Sequence, residues 1–339
     1  MINKFYEKLK QFIKKNYLYL SLYAVLIATL LFPLPYYIYN GGGIINIDEK
    51  INIENSNTNK GTFNMCYVSE IKATIPSYFL AKIFSDWDIL PKEDVALSNK
   101  ETDTDVYNRD RIMLNDANVN AIHNAYLKAN KTFKITDTYN YVIYISDAAK
   151  TTLKIGDIIE KVDNEKINSL DDLKDIVSKK QVGDNINFQV KRNNKIKNCT
   201  SEVVESNKIK QIGISVQTAY NYETSPKIEL NFSKNESGPS GGLMLTLSIY
   251  NHLIDKDLTN GMKIAGTGTI DWDGNVGSIG GVKYKLAGAV KSKADIFLVP
   301  NGENYKEAIR LKEKKKYNIK IIGISTFNEA LEKLEEMVK

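Results

Sequence analysis

The sequence predicts an α+β protein set behind an N-terminal transmembrane helix. Three observations carry this: an uncharged apolar run near the start, strand-like and helix-like stretches mixed through the rest, and Gly-rich turns leading into apolar helical stretches. A chain of 339 residues is long enough for two domains with cores of their own. Its 42% apolar and 26% charged content is ordinary for a globular protein. The net charge of +5 is small and spread out, and Lys312 to Lys316 reads as the solvated face of a helix. No nucleic-acid partner is expected. The abundance of Asn, Lys and Ile suits an AT-rich bacterial genome.

Residues 1–16 form a basic segment with Lys4, Lys8, Lys10, Lys14 and Lys15, expected on the cytoplasmic side. Residues 17–39 are expected to be the membrane anchor, since no charge occurs between Lys15 and Asp48. As a helix, Leu18 to Ile38 would span about 31 Å, enough for a hydrocarbon core of roughly 30 Å. Tyrosines cluster toward both ends, and Pro33 and Pro35 mark the outer edge. The competing reading is a cleaved signal peptide, but the run is too long for a typical one and Leu34-Pro35-Tyr36-Tyr37 is no small-residue cleavage site. A single-pass protein of the cell membrane follows, with everything after Tyr39 outside the cell. Residues 40–60, with Gly41-Gly42-Gly43 and many Asn, read as a tether.

Residues 61–132 carry strand-like alternation from Gly61 to Ile75, a helix over about 78–87, and a longer helix over about 106–131. This block has no chemistry of its own and reads as a structural layer, a candidate part of the C-terminal domain. In residues 133–207, the strand Tyr141 to Ile145 precedes Leu153-Lys154-Ile155-Gly156-Asp157-Ile158-Ile159 and a turn at Asp163-Asn164-Glu165. Ser169 then opens a helix to about Lys179, with Asp172 completing a capping box, and the strand Asn187 to Arg192 ends at Asn193-Asn194. That order resembles a PDZ domain of the bacterial protease-associated kind. The resemblance implies a peptide adding as a strand to a sheet edge, its carboxylate held by a Gly-rich loop. The matching loop would be Thr138 to Tyr141, which has no glycine. A spacer that only positions its neighbour is the other reading.

Residues 208–339 hold the chemistry. Ser240 lies in Gly238-Pro239-Ser240-Gly241-Gly242, between the strand Ile228 to Phe232 and an apolar helix from Leu243 to Leu253. Small residues there admit a substrate backbone, and a helix N-terminus offers amides to an oxyanion; Gly241 belongs to this support. Such a turn can also be only a turn. Downstream, the strand Lys263 to Ile270 and a hairpin turn at Asp271 to Asn275 lead through Ile279-Gly280-Gly281 into a helix carrying Lys283 and Lys285. A lysine held in apolar surroundings can serve as a base for a serine. The two lysines lie about 200° apart on a helix, so only one can face Ser240. Lys285, beside Leu286 of the apolar stripe, is the better placed.

Over about 228–335 these motifs resemble the proteolytic domain of Lon-type serine proteases. The resemblance implies Ser240 as nucleophile, Lys285 as general base and Thr267 as a hydrogen-bonding support of the lysine. Many such proteases carry Thr-Gly-Glu where this chain has Thr267-Gly268-Thr269. The order of anchor, PDZ-like domain and Lon-type domain is similar to the YlbL-type family of membrane-anchored PDZ–Lon proteases. The family implies an ATP-independent serine endopeptidase with a Ser-Lys dyad, acting on exported peptides or exposed protein segments, and a ring of protomers. The rival reading is an inactive surface scaffold that binds peptides. No Gly-x-x-x-x-Gly-Lys-(Ser/Thr) phosphate loop occurs in these residues. Cofactors and metals are not expected, because His123 and His252 stand apart and Cys66 and Cys199 lack ligand spacing. The cysteines read as small buried hydrophobes, with a disulfide between them as the other reading.

Overall fold

A computed structural model describes residues 2–57, 59–84, 86–167 and 169–338. Met1 of the basic segment, Thr58 of the expected tether and Ser85 of the expected 78–87 helix lie outside the described residues. Asn168 and Lys339 do as well. The chain divides into two compact units, Met1–Asn40 with Ser69–Val95, and Gly41–Val68 with Ala96–Lys339.

The smaller unit corrects the anchor. Its helix, Ile2–Leu31, stops where Pro33 and Pro35 fix φ and remove backbone donors, and a strand, Pro33–Asn46, begins. Tyr36 to Tyr39 pair antiparallel with Asp88–Pro91, so the end of the expected span is sheet. The apolar helix from Tyr17 to Leu31 is about 22 Å long, short of a bilayer's roughly 30 Å. Among the described residues no helix is long and apolar enough to cross a membrane. A short helix, Ile75–Ile83, follows the strand Thr62–Thr74, with Thr74 and Ser77 closing a capping box at its start.

The larger unit corrects the tether. Instead of a loose segment, Gly41 to Asn46 continue the strand, Ile47–Glu49 form a 3-10 turn, and Ile51–Ile53 pair with Ile228–Leu230. Ile47 and Ile53 are buried. Gly42 serves close approach and not flexibility, since a Cβ there would overlap the Tyr67 ring.

The core of this unit is α/β in layering, where the sequence suggests α+β. Lys320–Ile324, Ile296–Pro300 and Lys263–Gly266 run parallel to one another, and Lys263–Gly266 runs parallel to Thr62 through Met65. Alternation divides their side chains. Ile264, Ile296 and Leu298 face a cluster with the helices Asp103–Lys128, Gly242–Leu253 and Phe327–Val338. Ala265, Phe297 and Val299 face the helices Val282–Lys291 and Glu303–Lys315. The strand–helix order after Lys263 produces this two-sided covering.

The strands of the region expected to resemble a PDZ domain join a five-strand path, ordered Ile214–Ser225, Thr132–Ile145, Ile158–Val162, Asn185–Arg192 and Lys195–Glu202, whose first strand lies beyond residue 207. The helix Leu170–Ser178 covers it, capped by Ser169 and Asp172 as the sequence suggests. Thr132–Ile145 and Ile214–Ser225 form a long antiparallel ribbon, from Thr132 opposite Ser225 to Ile145 opposite Ile214. Thr138 to Tyr141 therefore lie inside a strand and make no loop. The glycine at the edge is Gly213, at φ 68°, which leads into the outermost strand. Cys66 and Cys199 are both free and buried.

Candidate active site

The helix Gly242–Leu253 is apolar and buried along almost its whole length. A helix buried all round fixes the turn that precedes it, and that turn holds Ser240. Behind it runs the strand Lys263–Gly266. A Cβ on Gly266 would come within 2.6 Å of Met244 Sδ and 2.7 Å of the Leu298 carbonyl, so only glycine lets helix and strand approach this closely.

Lys285 projects from the helix Val282–Lys291 on the side of Val282, Leu286 and Ala289. Its Nζ lies 2.9 Å from Ser240 Oγ, and the residue is only 4% exposed. Burial pulls its pKa down from 10.5 to about 8, against a weak upward pull from Cys66. Lys283 points elsewhere, its ammonium 5.2 Å from the centre of the Tyr284 ring.

Thr267 departs from the expectation. Its Oγ1 donates to the Ser240 carbonyl at 2.9 Å, so it steadies the backbone of the serine and not the lysine amine. The Gly268 amide donates to the same carbonyl at 2.8 Å. Gly241 is the N-cap of the buried helix, and its carbonyl accepts from Leu245.

Two contributions escape a reading of the sequence. Cys66, on the strand Thr62–Thr74, is electrostatically coupled to Lys285. Burial pushes its thiol up to about 12, against opposing pulls from Lys285 and from a hydrogen bond with the Gly266 backbone. The second is the helix Asp103–Lys128, which holds the loop before Ser240. Arg111 Nη1 donates to the carbonyls of Ser233 (3.0 Å) and Glu236 (2.7 Å). Tyr107 Oη donates to the Lys234 carbonyl at 3.0 Å, and the Asp110 carbonyl accepts from the Gly238 amide at 3.1 Å. The i, i+3, i+4 spacing of 107, 110 and 111 is the only local signal, and it is a common one.

Residues 128–203 match the family model of the PDZ domain, and residues 208–336 match that of the Lon protease (S16) C-terminal proteolytic domain. The chain carries a PDZ domain followed by a Lon-type proteolytic domain. Over 98 residues the chain is 34% identical to a Lon protease of Campylobacter jejuni and 32% identical to one of Desulfatibacillum aliphaticivorans. Each alignment takes in 29% of this chain and 12% of the relative, so the chain spans only a small part of the curated proteins it matches. A Lon protease of Neorickettsia sennetsu is 33% identical over 97 residues, which is 11% of that protein. The solved PDZ domain of an SdrC-like protein from Listeria monocytogenes matches at 24% identity and a TM-score of 0.22, covering 24% of this chain and 92% of that one. Ser240, Thr267 and Lys285 all fall inside the Lon-type domain. The Arg111 clasp and the strand carrying Cys66 lie outside it, earlier in the chain.

Proposed function

We propose that this chain is a serine endopeptidase that works by a Ser240–Lys285 dyad without ATP. The observation that carries the reading is the 2.9 Å approach of Lys285 Nζ to Ser240 Oγ in a buried setting. Neutral Lys285 takes the proton from Ser240 Oγ as the oxygen attacks a peptide carbonyl. Backbone amides near Ser240 and Gly241 hold the oxyanion. Lys285 then gives its proton to the leaving amine, and a water repeats the sequence to release the acyl group. Thr267 holds the Ser240 carbonyl and so sets the direction of the hydroxyl. Its substrates are exported peptides or exposed protein segments, and the PDZ domain presents them along the outer strand that begins after Gly213.

We also propose that residues 2–31 associate with a membrane and keep the catalytic domain outside the cell. The lysines before Asn16 and the exposed apolar surface from Tyr17 to Phe32 support this. The deciding experiment compares wild type with Ser240→Ala and Lys285→Met on a quenched fluorescent peptide, with labelling by a serine-reactive phosphonate. Both variants should lose cleavage and Ser240→Ala should lose the label. Undiminished cleavage by either variant sinks the dyad.

A further inference from the structure

The short helix Ile75–Ile83 of the smaller unit shows its apolar side to solvent. Its one buried residue is Ala81. Phe79 is 62% exposed, Leu80 46%, Ile83 75% and Phe84, which caps the helix, 49%. Pro76, Phe79, Leu80 and Ile83 recur at the i, i+3, i+4, i+7 spacing of a single stripe, and Ala81 lies on the opposite side. A contiguous apolar patch of this kind marks an interaction surface.

The neighbouring helix identifies the partner. Ile2–Leu31 lies against the short helix within the same unit. Consecutive residues such as Leu18, Tyr19 and Leu20, then Leu22 and Tyr23, are exposed, so the helix from Tyr17 to Leu31 is apolar on every side. A groove on another protein covers one face of a helix; lipid covers all of them. The flanking chemistry agrees. Lys4, Lys8, Lys10, Lys14 and Lys15 precede the apolar stretch, and Lys82 closes the short helix with its ammonium 4.8 Å from the centre of the Tyr78 ring. Lysines and ring-bearing side chains at the edge of an apolar patch suit anionic headgroups.

We infer that Ile75–Phe84 is an interfacial helix, lying in the headgroup–acyl boundary of an anionic bilayer and holding the smaller unit on lipid at a second place. The inference rests on the membrane association proposed above and requires a separate surface from it. Trp87 is a built-in reporter, its ring centroid 5.1 Å from that of Phe84. The full chain bearing Trp272→Phe, which leaves Trp87 as the sole tryptophan, is reconstituted with phosphatidylglycerol–phosphatidylcholine vesicles. These contain acyl chains brominated either close to the headgroup or near the bilayer centre. The expected result is strong quenching of Trp87 by the shallow bromines and weak quenching by the deep ones. Phe79→Ser with Ile83→Ser should cut that quenching at least twofold, while the chain still floats with the vesicles and still cleaves peptide. Floating chains with unquenched Trp87, or quenching unchanged in the double variant, overturn the interfacial helix alone. A concentration-dependent dimer abolished by the double variant also overturns it, by assigning the stripe to a second copy. Chains that do not float overturn both the helix and the membrane association.

Discussion

Replacing Lys285 with Met should abolish cleavage and make the protein more stable. The lysine's folded pKa of about 8 lies below its ordinary 10.5 because burial penalises the charge. Between these values the unfolded chain holds a proton that the folded chain has lost. Stability therefore rises with pH across about 8 to 10.5, and below 8 the full penalty is present. The gap of some 2.5 pH units corresponds to about 3 kcal/mol, which methionine, of similar length and uncharged, does not incur. The same burial favours the reaction: at pH 7 roughly a tenth of the amine is neutral, against about 3 in 10,000 for an ordinary lysine. The assay pairs urea denaturation of wild type and Lys285→Met at pH 7 and pH 10 with the wild-type pH–rate profile. The variant should lead at pH 7 and lose most of its advantage by pH 10, and the wild-type rate should climb between pH 7 and pH 9. A variant less stable than wild type at pH 7, or a rate flat over that range, refutes the reasoning.

Arg111→Ala should lower kcat by about 10- to 100-fold with a smaller change in KM, because the loop before Ser240 loses two carbonyl anchors while the substrate surface remains; steady-state kinetics on a short peptide reads the split. Gly42→Ala should cost about 1–3 kcal/mol, as the new methyl meets the Tyr67 ring, and thermal unfolding would show it. His123 packs edge-on against Trp272, ring centroids 3.6 Å apart, and burial holds its pKa below 6.5 against an opposing pull from Asp273. The unfolded chain gains that proton first, so stability should fall as the pH drops below about 6.5, and His123→Phe should flatten the fall in urea midpoints between pH 7 and pH 5.

The approach of Lys285 to Ser240 is legible because the signals for it are local. A Gly-rich turn before an apolar helix, and a lysine beside a buried stripe, need no knowledge of distant partners. The capping boxes at Ser169 and at Thr102 with Asp105 are equally local, although the latter places the long helix three residues earlier than its apolar spacing suggests. What misled was decided at long range. Pro33 to Tyr39 look like the end of a membrane span until Asp88–Pro91 pair with them. Gly41-Gly42-Gly43 look like a tether until Tyr67 lies across Gly42 and Gly43. Tyr107, Asp110 and Arg111 gain meaning only from a loop more than a hundred residues away. Thr267 was singled out by its motif, but its hydrogen bond goes to a backbone carbonyl, which no side-chain pattern reveals.

The ribbon in which Thr132 faces Ser225 makes the PDZ domain a guest lodged within another domain's chain. Its host is assembled from what comes before and after: the strand beside Lys263–Gly266 and the helix clasping Ser233 to Gly238 both precede the guest. Residues 208–336 expressed alone would therefore leave a sheet edge bare and the loop before Ser240 unclasped. Shortening the stem and closing it with a tight turn would instead leave the host's own pieces in place. Movement of the guest, with or without a bound peptide, reaches the host through the two strands of that stem and through Ser98, Asn99 and Lys100, which hydrogen-bond to Asp147 and to the Ala149 carbonyl.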